Sequence, residues 1–322
     1  MRNKLNEKLI ASIRESLPEG ENLAQNLMDV LCIGKEAIYR RIRGDVPFTF
    51  DEVSTLSSKI GFSIDEIVGL SNSGSGLYEL DLVEPENLID RYAEKLDRQV
   101  KILKKMRKAS QSMINFAINS LPDVFALAHD NIARFRLYHW LYQNKTRVNS
   151  FAFKDLVLSP EVIALQKQYT TDIRSMSRAC FIMDRNVFIS FLHEIDYFYR
   201  LKLLTKEEVE ILKKEMITML NDLEDLAVAG VYPNTGSEVH MYISNVDLES
   251  SFSLYEYNNT GYAYLKVSTV EGVESRNPLV CKKQKQWIES IRKYSVLISQ
   301  SGEVQRMEYF NTQRDFVDKL AL

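Results

Sequence analysis

The sequence predicts a mostly α-helical protein with two domains, a small helical domain at the N-terminus and a larger α+β domain behind it. The 322 residues are roughly twice what one domain of 150 residues needs. Twelve glycines and seven prolines are too few for the many turns of a β-sandwich. A stretch of small polar residues at 71–76 separates two regions with helical periodicity, which predicts a domain boundary there.

Residues 1–70 are predicted to form a domain of five short helices. Apolar residues recur there at helical spacing, and Gly or Pro residues separate the groups. Gly34 and Gly61, for example, each follow a periodic group and mark its end. The five groups are Leu5–Ile13, Leu23–Leu31, Ile38–Ile42, Val53–Ile60 and Ile64–Val68.

Residues 71–84 are predicted to be a flexible linker, and residues 85–322 form the second domain. Its first element is a long helix over 85–121, with a nearly heptad apolar seam. This helix either packs on its own domain, with the basic stretch 98–108 in solvent, or pairs with a second copy of itself. The second interpretation predicts a homodimer, and the seam then supplies the contact residues Ile89, Leu96, Leu103 and Met106.

The rest of the second domain is predicted to be helical with a small antiparallel meander. The meander consists of the β-branched and aromatic runs 238–244, 251–257 and 261–268, and an Asn-Asn-Thr-Gly sequence predicts a hairpin between the last two. Helices over 278–300 and 302–320 close the chain. Aromatic residues cluster at 135–142 and 191–199, where they either fill the core or line a ligand pocket.

Residues 27–44 carry the clearest functional pattern. Leu27 and Leu31 share one helical face, Ile38 and Ile42 share another, and a short turn separates them, as in two helices that cross around a tight turn. With these residues inward, polar and charged side chains lie on the outer face. Residues 35–43 carry a net charge of about +3, whereas residues 1–70 carry about −2, and a local basic face of this kind suits a DNA phosphate backbone.

This segment resembles the lambda-repressor-like, or xenobiotic-response-element, family of helix-turn-helix domains. The matching register runs without a gap from residue 27 to residue 68, about a fifth of the chain. Matching positions are Leu27, Leu31, Ile33, Ala37, Ile38, Arg40, Arg43, Gly44, Pro47, Val53, Leu56, Ile60, Gly61, Phe62 and Ile67. Three positions depart from the family pattern: Cys32 replaces a frequent Gly, Gly34 a frequent Ser or Thr, and Ala24 a frequent Gln.

The resemblance implies that the helix over 35–43 enters the major groove of double-stranded DNA while the preceding helix crosses the phosphates. The candidate groove residues are Lys35, Glu36, Tyr39 and Arg40. Arg41 and Arg43 are the candidate backbone contacts. The function expected from this is transcriptional regulation, and the alternative is a scaffold protein that uses the same module for protein contacts.

The sequence carries none of the motifs that would indicate another functional class. No enzyme motif, cofactor motif or paired cysteine spacing occurs, so the sequence predicts neither an enzyme, nor a metal site, nor a cofactor. The N-terminus has no signal-peptide pattern, and no apolar stretch is long enough to span a membrane. These observations predict a cytoplasmic regulator, with a small-molecule or protein effector of the second domain left open.

Overall fold

The computed structural model describes residues 2–18, 20–68, 76–80, 87–144 and 151–320. The chain divides into two compact units, Met1–Leu77 and Tyr78–Leu322. We call them the N-terminal and the C-terminal unit. As the sequence predicts, the protein is mostly α-helical with a β component.

Helices are the regular secondary structure of the N-terminal unit within its described residues. Its α-helices are α1 (Arg2–Ser16), α2 (Leu23–Leu31), α3 (Lys35–Arg43), α4 (Phe50–Leu56) and α5 (Ile64–Val68), and a π-helical turn over Ser57–Gly61 follows α4. These helices occupy the five segments predicted from the apolar periodicity. Their inner faces meet in one core, in which Ile13, Leu27, Ile38 and Leu56 are fully buried.

The C-terminal unit combines eight described helices with one sheet. The helices are α6 (Leu88–Arg107), α7 (Asp123–Ala126), α8 (Asp130–Asn144), α9 (Pro160–Ile173), α10 (Ile189–Arg200), α11 (Lys206–Ala229), α12 (Pro278–Lys293) and α13 (Glu303–Asp318). The strands are β1 (Ser112–Ile118), β2 (Arg178–Met183), β3 (Glu238–Ser244), β4 (Phe252–Tyr257), β5 (Thr260–Lys266), β6 (Gly272–Ser275) and β7 (Ser295–Leu297).

The sheet is mixed, with the strand order β6-β5-β4-β1-β2-β3-β7. Strands β1, β2 and β3 run parallel, and Ile114 of β1 lies opposite Ala179 of β2. On its other side β1 pairs antiparallel with β4, where Ile114 lies opposite Tyr255. Helices α7–α9 and then α10–α11 connect the parallel strands, as parallel pairing requires a crossover between strands.

The two faces of the sheet are covered by different helical layers. On one face, Phe116 and Phe181 stack with ring centroids 5.0 Å apart and join the large core that includes α6, α8 and α11. On the other face, Cys180 and Ile182 pack with Val280 of α12 in a smaller core. The C-terminal unit is therefore a three-layer α/β/α arrangement.

The prediction of one long helix over 85–121 is wrong for its second half. Helix α6 ends at Arg107, and residues Ser112–Ile118 form β1 in the middle of the sheet. Since both faces of this strand are covered, it is a nearly continuous apolar run, interrupted by Asn115. Periodicity alone does not distinguish such a run from a buried helix.

The apolar seam of α6 lies in the core of its own unit. Leu96, Leu103 and Met106 are at most 3% exposed, and Ile89 is partly buried against the same core. The dimer contact predicted for these four side chains therefore has no exposed surface on which to form. The basic side chains over 98–108 are exposed, as expected for a helix that packs on its own domain.

The predicted meander is correct for the hairpin but not for its first strand. Strands β4, β5 and β6 are consecutive antiparallel neighbours, and Asn258 and Asn259 both have positive φ in the β4–β5 turn, as a two-residue hairpin requires. The first run of the prediction, β3, instead pairs with β2 and β7, two strands that the sequence reading did not identify.

Part of the predicted linker belongs to the C-terminal unit. The backbones of Glu79 and Glu274 exchange two hydrogen bonds, of 2.7 and 3.0 Å, and the Tyr78 hydroxyl donates to Gln284 at 3.4 Å. Backbone pairing at the edge of β6 thus fixes a segment that composition assigned to the linker. Residues 71–75 and 81–84 of that linker lie outside the described residues.

Most residues of the two aromatic clusters pack in the core. Phe135 contacts the rings of Tyr138, Phe191 and Phe198 at centroid distances of 5.5 to 6.3 Å. All four rings are nearly or fully buried, and the edge-to-face contacts of Phe135 with Phe191 and Phe198 are a usual geometry of packed aromatic residues.

Truncating a seam residue of α6 tests its role in the core. We expect Leu103→Ala to lower the free energy of unfolding by about 2–5 kcal/mol, because it leaves a cavity in a closed core. The matched control is Leu279→Ala, which removes the same atoms from an exposed side chain and is expected to change stability by less than about 0.5 kcal/mol. Chemical denaturation of the full chain measures both, and equal effects would contradict this packing.

Candidate nucleic-acid interface

Helix α3 begins after a tight turn and ends at a glycine. Gly34 is its N-cap in extended conformation, and Gly44 ends it with φ of 79°. The Gly44 amide donates to the carbonyl of Arg41, and the Asp45 amide donates to that of Arg40, so the last turn of the helix is closed by backbone bonds. The start and end of the helix coincide with the range predicted from the sequence.

Cys32, one of the departures from the family pattern, lies in the turn before α3 and adopts a backbone conformation that suits glycine. Cys32 follows α2 with φ of 53°, in the left-handed region that glycine adopts most easily. A non-glycine residue there carries some backbone strain. The amide of Cys32 donates to the carbonyl of Met28, so the turn keeps a helix-ending hydrogen bond despite the side chain.

The buried contact between α2 and α3 sets which face of α3 is exposed. Leu27 and Ile38 are both 0% exposed in the same core. With Ile38 turned inward, Tyr39 and Arg40, about 100° and 200° further around the helix, point to solvent. Lys35 is exposed as the first residue of the helix. These three residues, which the sequence predicts to face outward, are thus exposed in the structure.

Four of the six predicted DNA contacts form this exposed face, which we call the α3 face: Lys35, Glu36, Tyr39 and Arg40. The Lys35 ammonium lies 5.9 Å from the ring centroid of Tyr39, within the range of a cation–π contact. Among the described residues, the guanidinium of Arg40 has no hydrogen-bonded partner. It is therefore available to bind an external acceptor.

Arg41 is committed to a contact within the unit. Its Nε and Nη2 donate to the two carboxylate oxygens of Glu52, at 3.0 and 2.7 Å, and its Nη1 donates to the carbonyl of Ala37. The side chains of Arg41 and Glu52 are 16% and 17% exposed. Arg41 therefore connects α3 to α4, and the structure does not leave it free for a phosphate.

Glu52 links this ion pair to the start of α4. Its carboxylate accepts the Thr49 amide at 2.9 Å, and the Thr49 hydroxyl accepts the Glu52 amide at 3.2 Å, forming a capping box. Burial by itself raises the pKa of Glu52, but the hydrogen bonds from Arg41 and Thr49 outweigh it and hold the pKa below its usual value. The Thr-x-x-Glu spacing in the sequence signals this cap, although the sequence reading did not use it.

Arg43, the second predicted backbone contact, remains exposed. Its Nε donates to Asp45 at 3.0 Å, and both side chains are at least half exposed. Such a pair contributes little to stability and breaks easily when a phosphate competes for the arginine. Lys35, Arg40 and Arg43 are thus the three accessible cations of α3.

Comparisons with family models, with curated protein sequences and with solved structures find no match to this chain. Within the described residues, no helix has the length and apolar content needed to cross a membrane. The same residues contain no group of three or more His, Cys, Asp or Glu side chains placed to hold a metal ion.

The difference between Arg41 and Arg43 is testable by stability alone. We expect Arg41→Ala to lower the free energy of unfolding of the N-terminal unit by about 1–3 kcal/mol, because Glu52 loses two charge-assisted hydrogen bonds in a poorly solvated position. Arg43→Ala is the matched control and is expected to cost less than about 0.5 kcal/mol.

Thermal and chemical unfolding of the full chain near neutral pH measures the change in the free energy of unfolding for both variants. The destabilisation by Arg41→Ala should shrink as the pH falls below 4.5, where Glu52 is protonated in the unfolded chain and then in the folded one. A cost for Arg41→Ala no larger than that for Arg43→Ala would contradict the bridging role.

Proposed function

We propose that the N-terminal unit binds double-stranded DNA through the α3 face and that the protein is a sequence-specific transcriptional regulator. One observation carries the proposal. Lys35, Tyr39 and Arg40 are all exposed on a short helix that Ile38 anchors to the core, within a unit whose remaining charge is acidic. The resemblance of residues 27–68 to helix-turn-helix domains supports the same function.

The chemistry of the α3 face suits a major groove. A guanidinium such as that of Arg40 can donate two hydrogen bonds to O6 and N7 of guanine, and the carboxylate of Glu36 can accept from the N4 amine of cytosine. Tyr39 offers a hydroxyl or a ring edge to a neighbouring base. Lys35 and Arg43, toward the two ends of α3, are placed to neutralise phosphates.

We also infer that the protein binds DNA as a homodimer. A single helix-turn-helix module covers about 600–1,000 Å² of surface, which limits its affinity alone. Two linked modules bind with an effective concentration on the order of mM for the second contact. Because the α6 seam is buried, this dimer uses a surface other than Ile89, Leu96, Leu103 and Met106.

Arg40 is the most informative position for a binding test. Duplexes selected by the full chain from a random pool supply the target, and its affinity is then measured by fluorescence anisotropy. We expect Arg40→Ala to weaken binding by about 1–3 kcal/mol without loss of helicity, because the Arg40 side chain makes no hydrogen bond to any described residue of the unit. The matched control is Arg14→Ala, another exposed arginine, in α1, which should leave the affinity unchanged. Equal effects of the two substitutions would refute the assigned face.

The salt dependence of binding tests the dimer as well as the interface. Each phosphate neutralised contributes about −0.9 to the slope of log K against log salt concentration. The two phosphate contacts proposed per unit, Lys35 and Arg43, therefore predict a slope of about −1.8 for one bound unit and about −3.6 for two. A slope flatter than about −1 would favour a module that contacts protein, since counterion release then has no source.

A further inference from the structure

A polar cavity of about 260 Å³ lies in the C-terminal unit, at the edge of the sheet where β1 and β5 end and β4 begins. The parallel strands β1 and β2 run toward this edge, and β1 has a parallel neighbour on one side and an antiparallel one on the other. In open α/β sheets, ligands bind outside the carboxyl ends of the parallel strands. The cavity lies at the carboxyl end of β1.

Lys266 places a cation in this cavity without a carboxylate partner. It is the last residue of β5, it is partly buried, and its Nζ lies 3.3 Å from the Ser120 hydroxyl. Among the described residues, no carboxylate oxygen lies within 4.0 Å of that ammonium. Burial, together with the nearby positive charge of Arg136, lowers the pKa of Lys266 to about 8. The charged lysine thus lacks a counterion that it would gain from an anionic ligand.

Arg136 also lines the cavity but is already bound. It is 7% exposed, and its guanidinium donates to the Asp123 carboxylate at 2.6 Å and to the carbonyls of Leu121 and Thr269. Because Leu121 follows β1 and Thr269 follows β5, the arginine ties two walls of the cavity together. Arg136 contributes positive potential to the cavity, whereas the ammonium of Lys266 still has hydrogen-bond donors that a ligand can use.

The first turn of α10 adds neutral donors to the same wall. Ser190 and Phe191 line the cavity, and within the described part of the chain neither backbone amide has an acceptor, whereas the next amide donates to the carbonyl of Phe188. Uncapped amides at the start of a helix favour a negative group. The hydroxyls of Ser190 and Ser250 supply further hydrogen-bonding groups.

Two glutamates limit the class of ligand. Glu249 is exposed, and Glu194 is partly exposed with an oxygen 3.1 Å from Nδ1 of His139. Both line the cavity together with Lys266. A ligand that places its negative group at Lys266 therefore needs hydroxyl or other donor groups toward the carboxylates. A purely apolar ligand would leave these polar groups desolvated and unpaired.

We propose that this cavity binds a small polyhydroxylated organic anion, with its carboxylate or phosphate at Lys266 and its hydroxyl groups toward Glu194 and Glu249. The volume accommodates a metabolite of a few carbon atoms. This ligand site is independent of the DNA-binding proposal, since every residue that forms it lies in the C-terminal unit.

The test uses three probes with the same three-carbon skeleton: glycerol 3-phosphate, glycerate and glycerol. Binding to the full chain is measured by isothermal titration calorimetry. We expect saturable binding of one or both anions and none of glycerol, and the anion that binds more tightly identifies the acidic group. No saturation by either anion below about 10 mM, or equal binding of glycerol, would overturn the proposal.

Substitution of Lys266 assigns the binding to the cavity. We expect Lys266→Met to weaken the binding of the anion at least about tenfold. The matched control, Lys214→Met, replaces an exposed lysine of α11 and should leave the affinity unchanged. Circular dichroism checks that both variants fold, and unchanged affinity in a folded Lys266→Met variant would refute the site.

A footprinting measurement on the wild-type chain covers the case in which Lys266→Met fails to fold. At pH 8, acylation of Lys266 and Lys214 by an amine-reactive reagent is followed by mass spectrometry with and without the anion. We expect the anion to slow the modification of Lys266 and not that of Lys214. Equal rates at Lys266 with and without a bound anion would place that anion elsewhere.

Discussion

The burial of β1 on both of its faces is the constraint on which the C-terminal unit depends. This strand lies in the centre of the sheet, between a parallel and an antiparallel neighbour. One face contributes Ile114, Phe116 and Ile118 to the large core, and α12 covers the other face of the sheet. Since a strand buried in this way needs a helical layer on each side, the three-layer arrangement follows from it.

The same strand also positions the polar cavity. At its carboxyl end the chain leaves the sheet at Asn119, whose amide and side chain bond to Ser251 and to the carbonyl of Leu248. These bonds hold the end of β1 beside the start of β4. The walls of the cavity that holds Lys266 are therefore fixed by the sheet register.

In the N-terminal unit, four arginine and lysine side chains close together in sequence have different roles. Ile38 anchors α3, and the rotation that it imposes exposes Arg40 but brings Arg41 against Glu52. The bidentate pair is structural, because it joins α3 to the capped start of α4. The accessible charge that remains is smaller than the count of basic residues suggests, and it is concentrated on one side of the helix.

The sequence by itself determined where the helices of the N-terminal unit lie and both ends of α3, because local periodicity and glycine caps specify short amphipathic helices. It also determined the β4–β5 hairpin, since an Asn-Asn turn is a local signal. Only the tertiary structure decided that residues 112–118 are a strand, that the α6 seam faces its own core, and that Arg41 pairs with Glu52. Each of these depends on contacts between residues distant in sequence, which no local pattern encodes.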